Sequence, residues 1–394
     1  MSRRDLRTIR GSKVSFFVTG GIELEYQLLS GLSNFTVHHA IMLAIACTLL
    51  YLAINKGYEP MLLLPIGFGA FLANIPLSGA TAPDGWLSLI YQAGIATELF
   101  PILIFIGIGA MIDFGPLLSQ PITALLGLAA QFGIFATALM ALAVGFPVGE
   151  AVSIGIIGAA DGPTSIYVSA KLAPSLLAPI SVAAYSYMAL VPIIQPPIIR
   201  LLTSKRERRI PAIAPGREVP RTTRLLFPIA ITLAAGIIAP VSTELIGALM
   251  FGNLLRESRV VDRLSASAQN ELSNLVTILL GIAVGSTMTA SAFLRPEALL
   301  ILSMGLIAFA LDTAAGVVFA KFLNLFLTVK INPMIGAAGI SAFPMSARVV
   351  HMMGLKEDRQ NFLLMQATGA NVAGQVGSII AGSILLTIAL ALGY

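Results

Sequence analysis

The residues with the most chemistry in this chain are a lone aspartate and the small residues around it. In Gly158-Ala159-Ala160-Asp161-Gly162-Pro163-Thr164 an acidic side chain stands within a largely apolar stretch. A carboxylate in a hydrocarbon layer costs about 2.5–3.5 kcal/mol on insertion scales, so something must compensate it. Gly162 and Pro163 interrupt a helix and free backbone carbonyls, and Thr164 and Ser165 add hydroxyls. One negative charge among neutral oxygens is a cage for a hard cation, of which Na+ is the abundant monovalent example. The plainer reading is a carboxylate that only pairs with Lys171 or caps a helix.

A second interrupted stretch carries Asn332, Pro333, Gly336, Gly339, Ser341, Pro344, Ser346 and Arg348. Asn332 and Ser341 offer neutral oxygens. Arg348 is always protonated and needs an anion, either Asp161 or a bound carboxylate, unless it snorkels to the membrane surface. Tyr185 and Tyr187 follow the first interruption, and Asn371 lies in the corresponding helix after the second. Taken alone, the tyrosines read as buried hydroxyls satisfied locally. Asp312 is mid-helix and reads as a second ion ligand or a packing group. Asp113 and Glu98 fall near the ends of spans.

These residues sit in a chain that is 57% hydrophobic and 11% charged over 394 residues. Soluble domains average about 25% charged, so a water-soluble fold of this size is excluded. The apolar residues come in runs without two-residue alternation, which excludes a β-barrel. The expected class is an all-α membrane protein of about ten transmembrane helices. The net charge of +5 reports basic loops rather than nucleic-acid binding. One cysteine, Cys47, excludes an internal disulfide and a cysteine metal site. No phosphate loop or dinucleotide fingerprint appears. No lysine lies in a Met-Lys-Met context, so the chain does not carry biotin.

The elements that must position the candidates divide into halves. Residues 203–224 form the most polar stretch, with seven Lys or Arg among prolines. Ile157-Gly158-Ala159-Ala160-Asp161 and Ser169-Ala170-Lys171 recur as Ile335-Gly336-Ala337-Ala338-Gly339 and Ser346-Ala347-Arg348. The expected organisation is a leader over 1–37, interfacial or loosely ordered, a first repeat over 38–200, a basic linker over 201–224 and a second repeat over 225–394. Spans are expected near 40–55, 60–76, 98–115, 121–146 and 178–199, then near 225–240, 242–255, 272–290, 297–328 and 362–392. The segments 150–172 and 331–350 read as broken, re-entrant hairpins. Five crossings per half make the repeats inverted, with the binding site where the breaks meet. Basic loops stay in the cytoplasm, which places 203–224 inside. The side of the N-terminus stays open.

Several words in this sequence resemble the β subunit of sodium-translocating, biotin-dependent decarboxylases of the oxaloacetate, methylmalonyl-CoA and glutaconyl-CoA types. They are Gly158 to Thr164, Lys171-Leu172-Ala173-Pro174, Ala184-Tyr185-Ser186-Tyr187-Met188-Ala189-Leu190-Val191-Pro192, Asn332 to Gly339 and Asn371-Val372-Ala373-Gly374. The resemblance spans about residues 40–392. One departure is Ala159, where that family usually has glycine. The resemblance implies that a carboxyltransferase (α) subunit moves CO2 from a substrate acid to biotin. A biotin carrier then presents carboxybiotin to the β subunit, which decarboxylates it, exports Na+ and consumes a proton. It implies a small γ or δ membrane subunit, a β-subunit oligomer and the inner cell membrane as location. By motif, Asp161, Asn332 and Ser341 resemble the Na+ and proton-coupling residues, Asn371 another residue of the Na+ pathway and Tyr187 a proton carrier. Gly162 and Gly336 match positions of close backbone approach. Arg348 resembles the residue that meets the carboxybiotin carboxylate. Two other functions fit the same residues less fully: a Na+-coupled secondary transporter without a biotin partner, and a non-transporting membrane scaffold.

Overall fold

The computed structural model of the chain describes residues 30–213 and 218–393. Most of the expected leader therefore lies outside the described residues. No strand occurs among them, and the fold is all-helical.

The first half opens with α1, Val37–Lys56, started by a capping box between Thr36 and His39 and ended by Gly57 in the left-handed region (φ 66°). Then come α2, Pro60–Ala73, and a helix over Trp86–Tyr91 that passes through a π turn, Gln92–Ala96, before α3, Leu99–Met111. Next are α4, Ile122–Ala129, and α5, Phe132–Val144. The first broken segment is α6, Val148–Gly155, a 3-10 turn over Ile156–Ala159, and α7, Gly162–Leu172. The half ends with α8, Leu177–Leu202. The second half runs in the same order: α9, Arg221–Ile238, α10, Thr243–Ser258, another π turn at Ala268–Leu272, then α11, Ser273–Ser286, and α12, Pro296–Phe326. The second break contains only a short turn of helix, Met334–Ala337, before α13, Met345–Glu357, and the chain closes with α14, Leu364–Ala391.

The two halves pack by exchange. α2 lies on α11 and α10 on α3, while α14 lies on α4 and α8 on α12. Small residues let these backbones meet. A Cβ on Gly109 would collide with the Leu249 carbonyl, and one on Gly252 with the Ile106 carbonyl. α1 and α9 stand at the outside, with 17% and 11% of their most apolar windows buried, against 67% for α14. That gradient places α14 in the middle of the molecule, where it reaches both breaks.

Among the described residues, five helices are long and apolar enough to span alone, and seven if each bent pair is one span, against the about ten expected. α2, α10 and α11 have 14 to 16 residues, whereas about 20 are needed at 1.5 Å per residue. The expected span at 98–115 is instead the far limb of a pair bent by 63°. In α8 the bend of 66° follows Met188. Pro192 explains it, because its ring removes the N–H that would bond the Met188 carbonyl and collides with that carbonyl.

Candidate functional site

The first break turns at Ala160, whose φ of 51° is left-handed. That region is unfavourable by roughly 1–2 kcal/mol for an L-residue with a Cβ, so surrounding contacts must hold the turn. Asp161 then returns to extended backbone and caps α7. Pro163 suits the first turn, where a backbone N–H has no intrahelical acceptor.

Asp161 is 3% exposed. Its carboxylate accepts from the Thr164 N–H at 3.3 Å and from the Thr164 hydroxyl at 2.8 Å. Gln375 Nε2 and the Ser378 hydroxyl, both on α14, also donate to it at 2.8 Å. Asp161 therefore caps a helix, as the plainer reading held, and also receives donors from the other half. It does not pair with Lys171. That ammonium lies 3.0 Å from Glu98 and 3.8 Å from Glu244, over the Tyr167 ring.

The second break meets the first directly. The Ser341 N–H donates to the Ala159 carbonyl at 3.0 Å, two residues before Asp161. The Ser341 hydroxyl donates to the Gly374 carbonyl on α14 at 2.9 Å. Asn371 donates to the Ile340 carbonyl at 2.7 Å, and its Oδ1 is buried without a partner. Asn371, Gly374, Gln375 and Ser378 recur at three- and four-residue spacing, so they form one stripe on α14. This stripe grips both breaks. On the other side, Gln195 of α8 donates to the Ala337 carbonyl at 2.7 Å, and Gln131 to the Gly339 carbonyl at 3.0 Å.

Ser341 and Asn371 thus gather at the crossing beside Asp161, and Asn332 does not. Its amide donates to the Arg208 and Ile210 carbonyls, both at 2.9 Å. It ties the basic linker to the foot of the second break. Arg208 binds Glu357 at 2.7 Å, and Asn361 binds the Ile210 carbonyl and the Ala212 N–H. The expected loop between halves is a docked strap along these residues. Gly336 is packed where a Cβ would strike the Gly316 carbonyl of α12, and a Cβ on Gly162 would enter the Tyr185 ring. Both glycines therefore serve close approach.

The tyrosines separate. The Tyr187 hydroxyl donates to the Leu302 carbonyl on α12, a local satisfaction. Tyr185 faces α7 beside Asp161, and its hydroxyl is buried without a partner. The hydroxyl open to chemistry belongs to Tyr185. Arg348 is exposed on α13, and its guanidinium has no hydrogen-bond or ion-pair partner among the described residues. The acidic group that senses its charge is Glu59, in the turn between α1 and α2. Burial pushes the Glu59 carboxyl up, and Arg348 draws it part of the way back.

Sequence reasoning missed Gln375 and Ser378. The signal was present, since both fall four and seven residues beyond Asn371, on its own helix face. No group of three His, Cys, Asp or Glu side chains suited to a metal occurs among the described residues. A cation at this crossing would be held by one carboxylate with neutral oxygens.

The chain is 48% identical over 390 residues to the methylmalonyl-CoA decarboxylase subunit beta of Propionigenium modestum, covering 93% of this chain and 98% of that one. It is 47% identical to the oxaloacetate decarboxylase beta chain 2 of Salmonella typhi, over 92% and 98% of the two chains. It is 51% identical to the glutaconyl-CoA decarboxylase subunit beta of Acidaminococcus fermentans, over 91% and 95%. The profile of one family matches residues 38–389, nearly the whole described fold. With the crossing of two broken segments around a single buried carboxylate, these matches show that the chain belongs to the family of Na+-transporting oxaloacetate decarboxylase beta subunits.

Proposed function

We propose that this chain performs the membrane step of a biotin-dependent sodium pump, with Na+ as its cargo and carboxybiotin, carried by a partner, as its second substrate. The observation that carries the reading is the crossing itself: Asp161, buried, faces hydroxyl and amide groups from its own segment and from α14. Thr164, Ser378 and Gln375 each own an oxygen as well as a donor. The same side chains that satisfy the bare carboxylate by donating therefore have oxygens to turn toward Na+. The free Asn371 Oδ1 and the Tyr185 hydroxyl add two more. Tyr185 in this reading hands a proton toward Asp161, the role the sequence assigned to Tyr187, whose hydroxyl is held by Leu302.

Arg348, exposed and without an ion-pair partner among the described residues, receives the carboxylate of the carried carboxybiotin. Loss of CO2 from the carboxylate held there leaves a ureido nitrogen, which takes up the proton that the reaction consumes. Exporting one charge against 100 mV costs about 2.3 kcal/mol, so CO2 release must be tied to movement of the loaded site. The two breaks, joined by the Ser341–Ala159 bond and held by α14, are the parts that move together. The halves are inverted repeats over 38–200 and 225–394. The strap at 201–224 faces the cytoplasm of a cell with this chain in its inner membrane. The working assembly contains a carboxyltransferase subunit, a biotin carrier, a small γ or δ subunit and more than one copy of this chain.

The test is Asp161→Asn in the reconstituted complex, with decarboxylation measured against Na+ concentration. The expected outcome is loss of Na+ stimulation with the complex still assembled. Wild-type stimulation in that variant would end the proposal. Decarboxylation that responds to avidin separates the reading from a secondary transporter with no biotin partner.

A further inference from the structure

A second carboxylate lies in the core, and its surroundings do not account for it. Asp312, near the middle of α12, is 0% exposed. Its Oδ1 accepts from the Gly133 N–H, and the Ile134 N–H also acts on the carboxyl, both at the N-terminus of α5, while its Oδ2 is buried with no hydrogen-bond partner of its own among the described residues. Among the described residues, no cationic side chain offsets it. α5 and the 3-10 turn Ile156–Ala159 carry no ionisable residue, and the one lysine of α12, Lys321, is committed to Glu207 at 3.0 Å and to the Leu202 carbonyl. A carboxylate with a bare oxygen and no counter-charge is not a stable state in a dry interior. A helix N-terminus supplies about half a unit of positive charge, which leaves the remainder uncompensated.

The space around it has been kept clear. A Cβ on Gly133 would lie 2.5 Å from Oδ1, and one on Gly158 would lie 3.0 Å from Oδ2. Gly158 belongs to the first break, three residues before Asp161. Thr137 stands one helical turn beyond Gly133, on the same face of α5. Its hydroxyl is also buried and without a partner. Three elements therefore meet around the bare oxygen: α5, α12 and the moving break.

We propose that Asp312 is a second monovalent-cation site, for Na+ or a proton, set against the break on the side away from the α14 stripe. Resting on the proposed Na+ path, it means that a shift of the break at Gly158 changes two acidic sites in one movement. Asp312 either carries a second Na+ or holds a proton that counter-moves with the first.

The test uses the reconstituted complex in proteoliposomes, with Na+ moved and protons taken up counted per CO2 released. Asp312→Asn keeps an acceptor for the Gly133 N–H, so a role limited to capping α5 would survive the substitution. The expected result is an assembled complex in which one ratio falls by one cation per CO2. A fall in Na+ with protons unchanged identifies a Na+ site, and the reverse a proton site. An assembled Asp312→Asn complex with both ratios unchanged overturns the proposal. Where that variant does not assemble, Thr137→Val, nearly isosteric, decides. A severalfold rise in the Na+ concentration for half-maximal activity, or a lowered ratio, supports the site, and wild-type behaviour overturns it. Asp161→Asn, run in parallel, tests the Na+ path itself: retained Na+ stimulation there overturns that path, whatever Asp312→Asn shows.

Discussion

At matching places in the two broken segments stand Asp161 and Gly339, and about ten residues further on stand Lys171 and Arg348. The first segment holds its acid deep and closes its base. Asp161 is surrounded by donors, and Lys171 is bracketed by Glu98 and Glu244. The second segment has no acid at the corresponding turn, only Gly339 pressed against α4, and its base has no ion-pair partner among the described residues. In the function proposed above, the two breaks divide the work: the cation goes to the carboxylate of the first, and the anion to the guanidinium of the second.

The largest expected effect comes from breaking the contact between the segments. A Cβ on Gly339 would lie 2.6 Å from the Leu126 carbonyl, and one on Gly374 would overlap the Gly339 carbonyl. Gly374→Ala therefore removes folded protein from the membrane, measured as yield after detergent extraction, while alanine at Gly247, where the nearest atom to a Cβ is Thr232 Cγ2 at 3.9 Å, does not. The next contrast is between the two bases. A hydrogen-bonded charge pair is worth about 1.5–3 kcal/mol, or roughly ten- to a hundredfold. Arg348→Gln lowers turnover of the carboxylated carrier by that order. Lys171→Gln, whose pairs are partly exposed, changes turnover only within about threefold. Equal effects of the two would erase the division of tasks.

Smaller is the effect of the donors on Asp161. In the proposed loaded site the Gln375 oxygen turns toward Na+, so Gln375→Ala, which removes that ligand, raises the Na+ concentration for half-maximal activity severalfold, whereas a role confined to donating to the bare carboxylate would lower it. Gln195→Ala, on the neutral break, leaves it near wild type. The smallest concerns Glu59. Burial raises its carboxyl, so the folded chain holds this proton more tightly than the unfolded chain does. Its contribution to stability is full below the ordinary carboxylate range and is lost as pH rises through the folded-state value. Glu59→Gln removes that decline from a Tm-against-pH profile. Arg348→Gln, by taking away the opposing charge, moves the decline to higher pH.

Much of the site was legible along the chain. An acid followed by Gly-Pro announces a capped, interrupted helix in any context, because proline and glycine act on their own backbone. Ser341 and Asn371 were found through the repeat. The place of Asn332 was not legible, since an amide next to a break has equal use as a ligand or as a clamp on a neighbouring loop, and the carbonyls it meets lie more than a hundred residues away. Tyr185 and Tyr187 differ by two positions on a helix, so they face nearly opposite sides. Which side meets α7 depends on how α8 is rotated, and periodicity in an evenly apolar helix does not report that. The shape of the crossings was hidden for a related reason: composition marks apolar runs but not the bends at Pro192 or ahead of α3 that turn one run into two limbs.

Composition alone determined that this chain lives in a membrane and is helical, because unsatisfied backbone in hydrocarbon leaves no other choice to a chain this poor in charge and without strand alternation. Local chemistry alone determined where its helices break. Only the tertiary structure decided that α14 joins the two breaks, that Gln375 and Ser378 complete the Asp161 shell, and that Asp312 stands bare beside Gly158. Those are long-range contacts between elements whose packing faces are all apolar or small, so nothing in any one segment distinguishes the partner it finally meets.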